Sequence, residues 1–326
     1  MLNRETIREH LCSCIAATDL SFLSDRYEGK VRDSYRWNDL RILVTTDRIS
    51  CFDRVVALVP FKGQVLTRLA EYWFAETARI VKNHLVAVPD PNVLVGREVE
   101  IVPIEVVVRG YLAGSAWRDY QAGKTISGVT LPSGMNQFQK LEQNLVTPST
   151  KAEKGEHDAP ISEQDLVERG LVSGERWSEI REKALALFAF GQKRAQERGL
   201  LLADTKYEFG FIGDELVLAD EIHTLDSSRF WVQDTYEQLL RDGSAPQMLD
   251  KEPVRQWLLE RGFKGDGPIP HFEDEHLVDI SLHYLDSYSR ITGQVCPIDL
   301  EPPLLRLERS LRKFQSEYSL NSAVGA

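Results

Sequence analysis

The chain has 326 residues, of which 42% are hydrophobic and 27% charged, a composition typical of a soluble globular protein with room for two domains. Its formal net charge of −11 argues against a general nucleic-acid binder, and no apolar run approaches the roughly 18 residues that span a bilayer. The four cysteines lack metal-site spacing, which favours a reduced, cytoplasmic chain. The opening segment MLNRETIREHLCSCIAA predicts an amphipathic helix, not a signal peptide.

Strand and helix patterns follow one another along the chain. Residues 26–60 are predicted to form strands joined by a polar turn at 37–39, residues 63–80 a helix, and residues 98–112 a strand that Pro103 interrupts. We expect a polar loop over about 130–165, a helix over 174–198, a hairpin over 202–223 and mainly helices from 233 onward. This order predicts an α+β fold of two lobes with a ligand cleft between them.

The hairpin stretch LADTKYEFGFIGDELVLADEIH carries acids on either side of a tight turn. With a three-residue loop at 213–215, Glu208 lies opposite Asp220. Asp204 and Lys206 share that face, because strand side chains alternate with period two. Two opposed carboxylates repel unless a cation lies between them, which suggests Mg²⁺ or a substrate cation. A register shifted by one residue would separate the acids, and two solvated acids at a sheet edge are the alternative interpretation.

Two stretches of the first lobe combine cations with small or polar residues. In YEGKVRDSY, Gly29 permits close backbone approach to a ligand. Lys30 and Arg32 then either meet phosphate oxygens or form a solvated strand face. TTDRISCFDR follows an apolar strand, so its polar residues form either a functional loop or a helix cap or turn. These polar residues are Asp47, Arg48, Ser50 and Asp53.

Two later stretches also predict ligand contacts. In VVVRGYLAGSAW, Arg109 directly follows an apolar strand, and Gly114 and Ser115 leave room and donors for an anion. A structural arginine paired with a carboxylate is the alternative. LVTPSTKAEKGEHDAPIS is long and polar, as mobile lids are, although His157 in it could equally be an ordinary loop histidine. The candidate contacts of this stretch are Lys151, His157 and Asp158.

Taken together, these motifs resemble one family. YEGKVRD, TDRIS, VVVRGYLAGS, PSTKAEKGEHD, LADTKYEFG, LADEIHTLDSSRFW and LDKEPVRQWL occur in this order over residues 27–259. The set resembles the longer form of the SAICAR synthetase (phosphoribosylaminoimidazole-succinocarboxamide synthase) family. The resemblance implies a kinase-small-lobe-like first lobe over 1–105. It also implies an ATP-grasp-type second lobe with C-terminal helices over 106–326.

The resemblance also implies an activity. By this resemblance the protein would be an ATP- and Mg²⁺-dependent ligase of de novo purine biosynthesis. The reaction would join carboxyaminoimidazole ribonucleotide to L-aspartate and release SAICAR, ADP and phosphate. Its partners would be these small molecules, not nucleic acid or membrane. An acyl phosphate is the expected intermediate, because a carboxylate is a poor electrophile until it is activated.

The family's site residues carry over onto the matching positions. The residues implied at ATP are Gly29, Lys30, Arg32, Ile101, Glu105 and Glu208, with the segment 101–105 beside the adenine. Those implied at the metal are Glu208 and Asp220. Those implied at the substrates are Asp47, Arg48, Ser50, Arg109, Ser115, Lys206, Arg229 and Arg255. Those implied in catalysis are Lys206, Lys151 and Asp158.

Two other functions use part of the same residue set. A small-molecule kinase of related fold would need a general-base aspartate, yet no HRD-like segment is present. A non-catalytic nucleotide sensor would not need the second anion site of Arg109, Arg229 and Arg255. Aspartate-dependent release of ADP separates all three functions.

Overall fold

The computed structural model describes the backbone of residues 2–151 and 159–324 and the side chains through residue 321. The helices are α1 Arg4–Glu9, α2 Lys62–Thr77, α3 Gly114–Gln121, α4 Glu163–Glu168, α5 Gly174–Gln196, α6 Gln233–Arg241, α7 Glu252–Glu260, α8 Asp274–Thr292 and α9 Pro303–Val324. The strands are β1 Ser24–Glu28, β2 Arg32–Trp37, β3 Leu40–Thr45, β4 Arg48–Cys51, β5 Arg54–Leu58, β6 Lys82–Asn83, β7 Leu85–Asp90, β8 Val93–Arg97, β9 Glu100–Tyr111, β10 Lys140–Thr150, β11 Ala159–Pro160, β12 Leu200–Ile212, β13 Glu215–Ala219 and β14 Ser228–Val232.

The described residues divide into two compact units. Unit 1 comprises those of Met1–Tyr72, Leu85–Glu98 and Lys251–Ala326, and unit 2 those of Trp73–His84 and Val99–Asp250. The predicted lobes, 1–105 and 106–326, differ from this division chiefly in the last 76 residues, which the prediction joined to the second lobe. Order along the chain could not show that these helices return to pack with the first strands.

Unit 1 is built on an antiparallel sheet of order β1-β2-β3-β8-β7, beside the separate hairpin β4–β5. Alternating apolar residues such as Ile42 and Val44 point from this sheet into a core that Leu307 and Leu311 of α9 complete. Arg306 of α9 is buried, and its Nε donates to Asp90 Oδ2 at 2.9 Å. Apolar burial and a buried ion pair thus hold α9 in unit 1.

Unit 2 is built on a sheet of order β11-β10-β9-β12-β13-β6, with β14 also paired to β12. Its pairs are antiparallel except for the parallel pair β13–β6. The long helix α5 packs against β12, and its buried stripe of Trp177, Ile180, Ala184, Leu187 and Phe188 follows helical periodicity. This packing leaves the other face of the central strands for polar side chains.

The predicted elements are largely confirmed. The polar turn between β2 and β3, the helices α2 and α5, the hairpin β12–β13 and the helices from 233 onward all form. The strand β9 also forms, but it continues through Pro103, where the β9–β12 register shifts between Glu208 and Gly210. A bulge absorbs the missing N–H group of proline.

The predicted loop over 130–165 was wrong for its centre. Residues 140–150 form β10, which pairs with β9 from Lys140 opposite Tyr111 to Thr150 opposite Ile104. The side chains of β10 are mainly polar, so hydrogen bonds between backbone groups stabilise this strand. The alternation of apolar residues along a sequence does not reveal such pairing. Among the helices of the described residues, none combines the length and apolar character that crossing a bilayer requires.

Candidate active site

Strand β12 carries a polar face. Asp204, Lys206 and Glu208 alternate along it, as the period of a strand requires. The intervening Tyr207 is fully buried, and its hydroxyl hydrogen-bonds to His223 Nε2 at 2.5 Å. The His223 ring lies against α5. The three charged residues therefore occupy the face of β12 turned away from the helix.

Lys206 lies among carboxylates on this face. Its Nζ hydrogen-bonds to Glu105 and lies 3.7 Å from Glu208 Oε1, while Lys151 from the end of β10 hydrogen-bonds to the other oxygen of Glu208. Burial alone would lower the pKa of Lys206, but the negative charges of Glu208, Glu105 and Asp220 outweigh it and raise the pKa above its usual value. Lys206 is thus a fixed cation, suited to stabilise developing negative charge.

The hairpin register differs from the prediction. Glu208 pairs with Ala219, and Ile212 with Glu215, so the turn has two residues and Asp220 is not directly opposite Glu208. The residues of the turn are Gly213 and Asp214, and the glycine has a φ of 62°. Asp220 follows the end of β13 with a φ of 65°, which breaks strand alternation there. It nevertheless acts on Lys206 electrostatically, so both acids lie near this ammonium.

A pair of arginines adjoins the lysine. Arg229 Nη1 donates to Asp204 Oδ2 at 2.6 Å, and Arg109 Nη1 lies 3.6 Å from the same oxygen. Arg109 also donates from Nε to Thr147 Oγ1 at 2.9 Å and from Nη2 to Ser115 Oγ at 3.1 Å. Burial lowers the pKa of Arg109, Asp204 opposes this effect and Arg229 adds to it. Two guanidinium groups share one carboxylate, and the excess positive charge suits a bound anion.

Gly114 is required by the position of Arg229. A Cβ atom on Gly114 would lie 2.6–2.9 Å from three atoms of the Arg229 guanidinium, and the φ of Gly114 is 59°. The left-handed φ and the closeness of the guanidinium both favour glycine at this position. The predicted room at Gly114 is therefore present, and the arginine of the chain itself occupies it.

The glycine turn of unit 1 places its cations differently from the prediction. Lys30 lies in the turn between β1 and β2, and Arg32 begins β2, so the two do not share a strand face. A Cβ on Gly29 would lie 2.9 Å from the Arg32 carbonyl oxygen, so the chain itself needs this glycine. Lys30 Nζ lies 2.5 Å from Asp53 Oδ1, and both side chains are more than half exposed.

The TDRIS residues hold the backbone together. Asp47 accepts the backbone N–H groups of Ile15 at 2.7 Å and Gly63 at 2.9 Å. Burial raises its pKa to about 6, although these hydrogen bonds oppose the shift. Arg48 donates to the carbonyl oxygens of residues 16, 29 and 30 and to Asp33 Oδ1 at 2.7 Å. Ser50 is buried on β4. Substrate contacts of these three residues remain a prediction.

The remaining predicted residues are spread over several elements. Arg255 lies on α7 in unit 1, with its guanidinium carbon 4.8 Å from the centroid of the Phe52 ring. Ile101 is the second residue of β9 and has 37% of its surface exposed, whereas the Glu105 side chain hydrogen-bonds to Lys206. Asp158 and His157 lie outside the described residues. Of the segment predicted to be a lid, the parts on either side of 152–158 are the paired strands β10 and β11.

Sequence reasoning did not assign three partners. Asp204 was placed on the polar face but given no role. The contact of Thr147 with Arg109 and that of Asp53 with Lys30 were not predicted. The alternation of Asp204 with Lys206 was the available signal for the first. The other two pairs join residues 38 and 23 positions apart, so only the fold reveals them.

The carboxylates near Lys206 could also hold a metal ion if a ligand completes its coordination. No three His, Cys, Asp or Glu side chains of the described residues form a group that could hold a metal ion by itself. Glu208 and Asp220 both lie near Lys206, and two carboxylates completed by phosphate oxygens are a typical donor set for Mg²⁺. The residues present therefore fit a Mg²⁺ ion that arrives with a nucleotide.

Comparison with known proteins assigns the family. The SAICAR synthetase family profile matches residues 25–268, more than half of the chain. The chain belongs to the SAICAR synthetase family. The phosphoribosylaminoimidazole-succinocarboxamide synthase of Legionella pneumophila (strain Paris) is 44% identical over 297 residues, covering 89% of this chain and 94% of that protein. The family resemblance read from the motifs is thus confirmed.

Solved SAICAR synthetase structures share the fold. The SAICAR synthase of Saccharomyces cerevisiae in complex with SAICAR superposes with a TM-score of 0.76 at 32% identity, over 86% of this chain and 99% of that chain. A SAICAR synthetase in complex with ADP gives 0.65 at 26% identity, over 84% and 100%. The predicted α+β fold of the SAICAR synthetase type is confirmed.

Proposed function

We propose that the protein is an ATP-dependent carbon–nitrogen ligase. It joins carboxyaminoimidazole ribonucleotide to L-aspartate and gives SAICAR, ADP and phosphate in de novo purine biosynthesis. The observation that carries this proposal is the polar face of β12. It presents Lys206 beside the carboxylate of Glu208 and, two residues before Lys206, Asp204 with the pair of buried Arg109 and partly exposed Arg229. One strand thus offers groups for phosphoryl chemistry beside groups for a second anionic substrate.

The proposed reaction has two steps. A carboxylate oxygen of the imidazole nucleotide attacks the γ-phosphorus of ATP, the bond to the bridging oxygen breaks, and ADP leaves. The aspartate ammonium loses one proton to become an amine, which attacks the acyl carbon. The C–N bond forms, phosphate departs with the C–O electron pair, and the nitrogen's second proton leaves with the phosphate. Lys206 would stabilise charge on the transferring phosphoryl group. Lys151 would act beside it, and Lys151 and Asp158 are proposed to exclude water from the acyl phosphate.

Ligand contacts are proposed separately for each unit. In unit 2, Arg109, Ser115 and Arg229 would bind the carboxylate or phosphate of the imidazole nucleotide. In unit 1, Gly29, Lys30 and Arg32 would meet the ATP phosphates, and Arg255 would add a contact to the imidazole nucleotide. Ile101 would lie beside the adenine. Arg48 would support the glycine turn through its hydrogen bonds to the carbonyl oxygens of residues 29 and 30, and Asp47 would support the segments at Ile15 and Gly63. Ser50 is proposed to contact the substrates.

Mg²⁺ is the proposed cofactor, held by Glu208 and Asp220. The ion would neutralise phosphate charge and orient the γ-phosphoryl group. Asp220→Asn should raise the Mg²⁺ concentration needed for half-maximal activity by about tenfold, the scale of one lost charged ligand contact. Calorimetric Mg²⁺ titration of the nucleotide-bound protein should show the same weakening. Unchanged Mg²⁺ dependence in a folded variant would remove Asp220 from the proposed site.

The proposed ligase activity is tested by the release of ADP. The purified protein, ATP, Mg²⁺ and the imidazole nucleotide should release ADP at a rate that requires aspartate, with SAICAR formed in equal amount. ADP released without aspartate onto another acceptor would indicate a small-molecule kinase, and nucleotide binding without turnover would indicate a sensor. The proposed setting is the cytoplasm, and the four cysteines, which form no disulfide, are consistent with it.

A further inference from the structure

The turn of the β4–β5 hairpin has an unusual backbone. Cys51 pairs with Arg54, which leaves Phe52 and Asp53 as a two-residue turn, with φ angles of 54° and 60°. Such turns favour asparagine and glycine, because most side chains clash in the left-handed region. A phenylalanine there is strained, and strain of this kind is retained only where the surroundings fix it.

The surroundings of this turn are specific. Arg54 Nη1 donates to the carbonyl oxygens of Gly265 at 3.1 Å and Gly267 at 2.7 Å. A Cβ on Gly265 would lie 3.1 Å from Phe52 Cβ, and Gly265 has a φ of 112°. The rings of Phe52 and Phe263 meet edge to face, with their centroids 6.0 Å apart. The loop after α7 thus fixes the position of the Phe52 ring.

Phe52 in turn contacts the cation on α7. The guanidinium carbon of Arg255 lies 4.8 Å from the ring centroid. Arg255 Nε is buried without a hydrogen-bond partner among the described residues, and Nη1 is 3.8 Å from the nearest oxygen of Glu252. A ring orients a guanidinium through its π-face and uses none of the five N–H donors. An oxyanion can then accept those donors.

We infer that Phe52 is a positioning residue for Arg255. The strained turn holds the aromatic ring beneath the guanidinium, so that Arg255 presents its N–H groups to an oxyanion of the imidazole nucleotide. This inference rests on the proposed function, in which Arg255 binds that substrate. It explains why the turn carries phenylalanine where asparagine or glycine would relieve the backbone: neither of those residues supplies a ring.

Three variants separate the ring from the backbone. Phe52→Leu removes the ring and keeps apolar bulk, Phe52→Asn removes the ring and relieves the strained φ, and Phe52→Tyr keeps the ring. The first two should weaken calorimetric binding of the imidazole nucleotide by about three- to tenfold, the scale of a cation–π contact. Phe52→Tyr should bind as wild type, and ATP affinity should be unchanged in all three. In kinetics, KM for the imidazole nucleotide should rise more than kcat falls.

A double variant and a matched control complete the test. Phe52→Leu combined with Arg255→Ala should bind no more weakly than Arg255→Ala alone, because the ring acts through the arginine. Phe22→Leu removes another ring beneath an arginine of unit 1, with Arg312 at 4.1 Å, and should change neither affinity.

Several results would overturn the inference. The first is that Phe52→Asn binds the imidazole nucleotide as tightly as wild type. The second is that the Phe52 variants lose affinity for ATP and for the imidazole nucleotide equally. The third is that Arg255→Ala leaves the affinity for the imidazole nucleotide unchanged. If the wild-type protein released no ADP in an aspartate-dependent manner, the proposed function would fail instead. The two failures are therefore distinguishable within one set of proteins.

Discussion

Charged residues serve different purposes on β12 and in the TDRIS segment. On β12, Lys206 has a side chain 35% exposed and is held by the side chains of Glu105 and Glu208. In TDRIS, the Arg48 side chain is 6% exposed and donates mainly to backbone carbonyl oxygens. A ligand can replace the side-chain carboxylates that hold Lys206, but it cannot replace the main-chain carbonyl oxygens that hold Arg48. A charged motif residue whose partners are main-chain atoms therefore indicates structural support, whereas one whose partners are other side chains can also serve a ligand site.

Among the substitutions, Arg48→Met should have the largest effect, which is a loss of stability of the fold. The change leaves Asp33, which is fully buried, without its cation, so the free energy of unfolding should fall by about 3–5 kcal/mol. Urea denaturation would measure it. Arg41→Met is the control, because the Arg41–Glu98 pair is about one-third exposed and should contribute no more than about 1 kcal/mol. Equal effects of the two substitutions would contradict the scaffolding role of Arg48.

Lys206→Met should act on turnover rather than on the fold. In the proposed reaction this lysine stabilises the transferring phosphoryl group, so loss of its charge should lower kcat by about 10²–10³-fold. Aspartate-dependent ADP release would measure it, with near-ultraviolet circular dichroism to confirm native packing. Lys206→Arg keeps the charge and should retain part of the activity. A kcat within threefold of wild type in Lys206→Met would remove this lysine from the proposed chemistry.

Arg229→Ala should separate the two anionic ligands. Loss of its charged hydrogen bonds should weaken imidazole-nucleotide binding by about 1.5–3 kcal/mol, while ATP affinity stays nearly unchanged. Arg255→Ala should give a change of the same kind. Calorimetric titration with each ligand would measure both. Equal losses for ATP and the imidazole nucleotide would show that the arginines act through the fold and not at one ligand.

The stability of the fold should also depend on pH. Burial lowers the pKa of His223 to about 3, so the unfolded chain takes up a proton below its ordinary pKa of 6.5 while the folded chain does not. The contribution of His223 to stability is therefore complete above pH 6.5 and is lost as pH falls toward 3. The difference in unfolding free energy between wild type and His223→Leu should shrink by about 1.4 kcal/mol per pH unit below 6.5.

Asp47 should oppose this trend. Its raised pKa means that the folded chain binds its proton more tightly, so its contribution is lost as pH rises from 3.8 to about 6. Denaturant midpoints at pH 7, 6 and 5 for wild type and His223→Leu would separate the two groups. A difference between the proteins that does not change with pH would mean that His223 titrates normally.

Much of the fold could be predicted from local patterns. Alternation identified β12, and apolar spacing identified α2 and α5, because each element buries a face that its own sequence defines. The strand β10 was missed because backbone pairing with β9 stabilises it. The return of α9 to unit 1 was missed because Arg306 and Asp90 are 216 residues apart.

The site was predictable to a similar degree. The residue types that phosphate and metal chemistry requires were identified on β12, and so was Arg109. The register of the hairpin was not, because a turn of two or three residues fits the sequence GDE equally well and decides which residue Glu208 opposes. The use of Arg48 and Asp47 as backbone ligands could not be read either, since their partners are main-chain atoms of distant segments.

The close contact between Gly114 and Arg229 limits how this protein can vary. Replacing one base of the Gly114 codon gives alanine, whose methyl group would collide with the guanidinium and move it off Asp204. Alanine at a φ of 59° would also strain the backbone at the start of α3, so both the affinity for the imidazole nucleotide and the stability of the fold should fall. A growth screen without added purines should therefore report changes at Gly114 as reduced fitness.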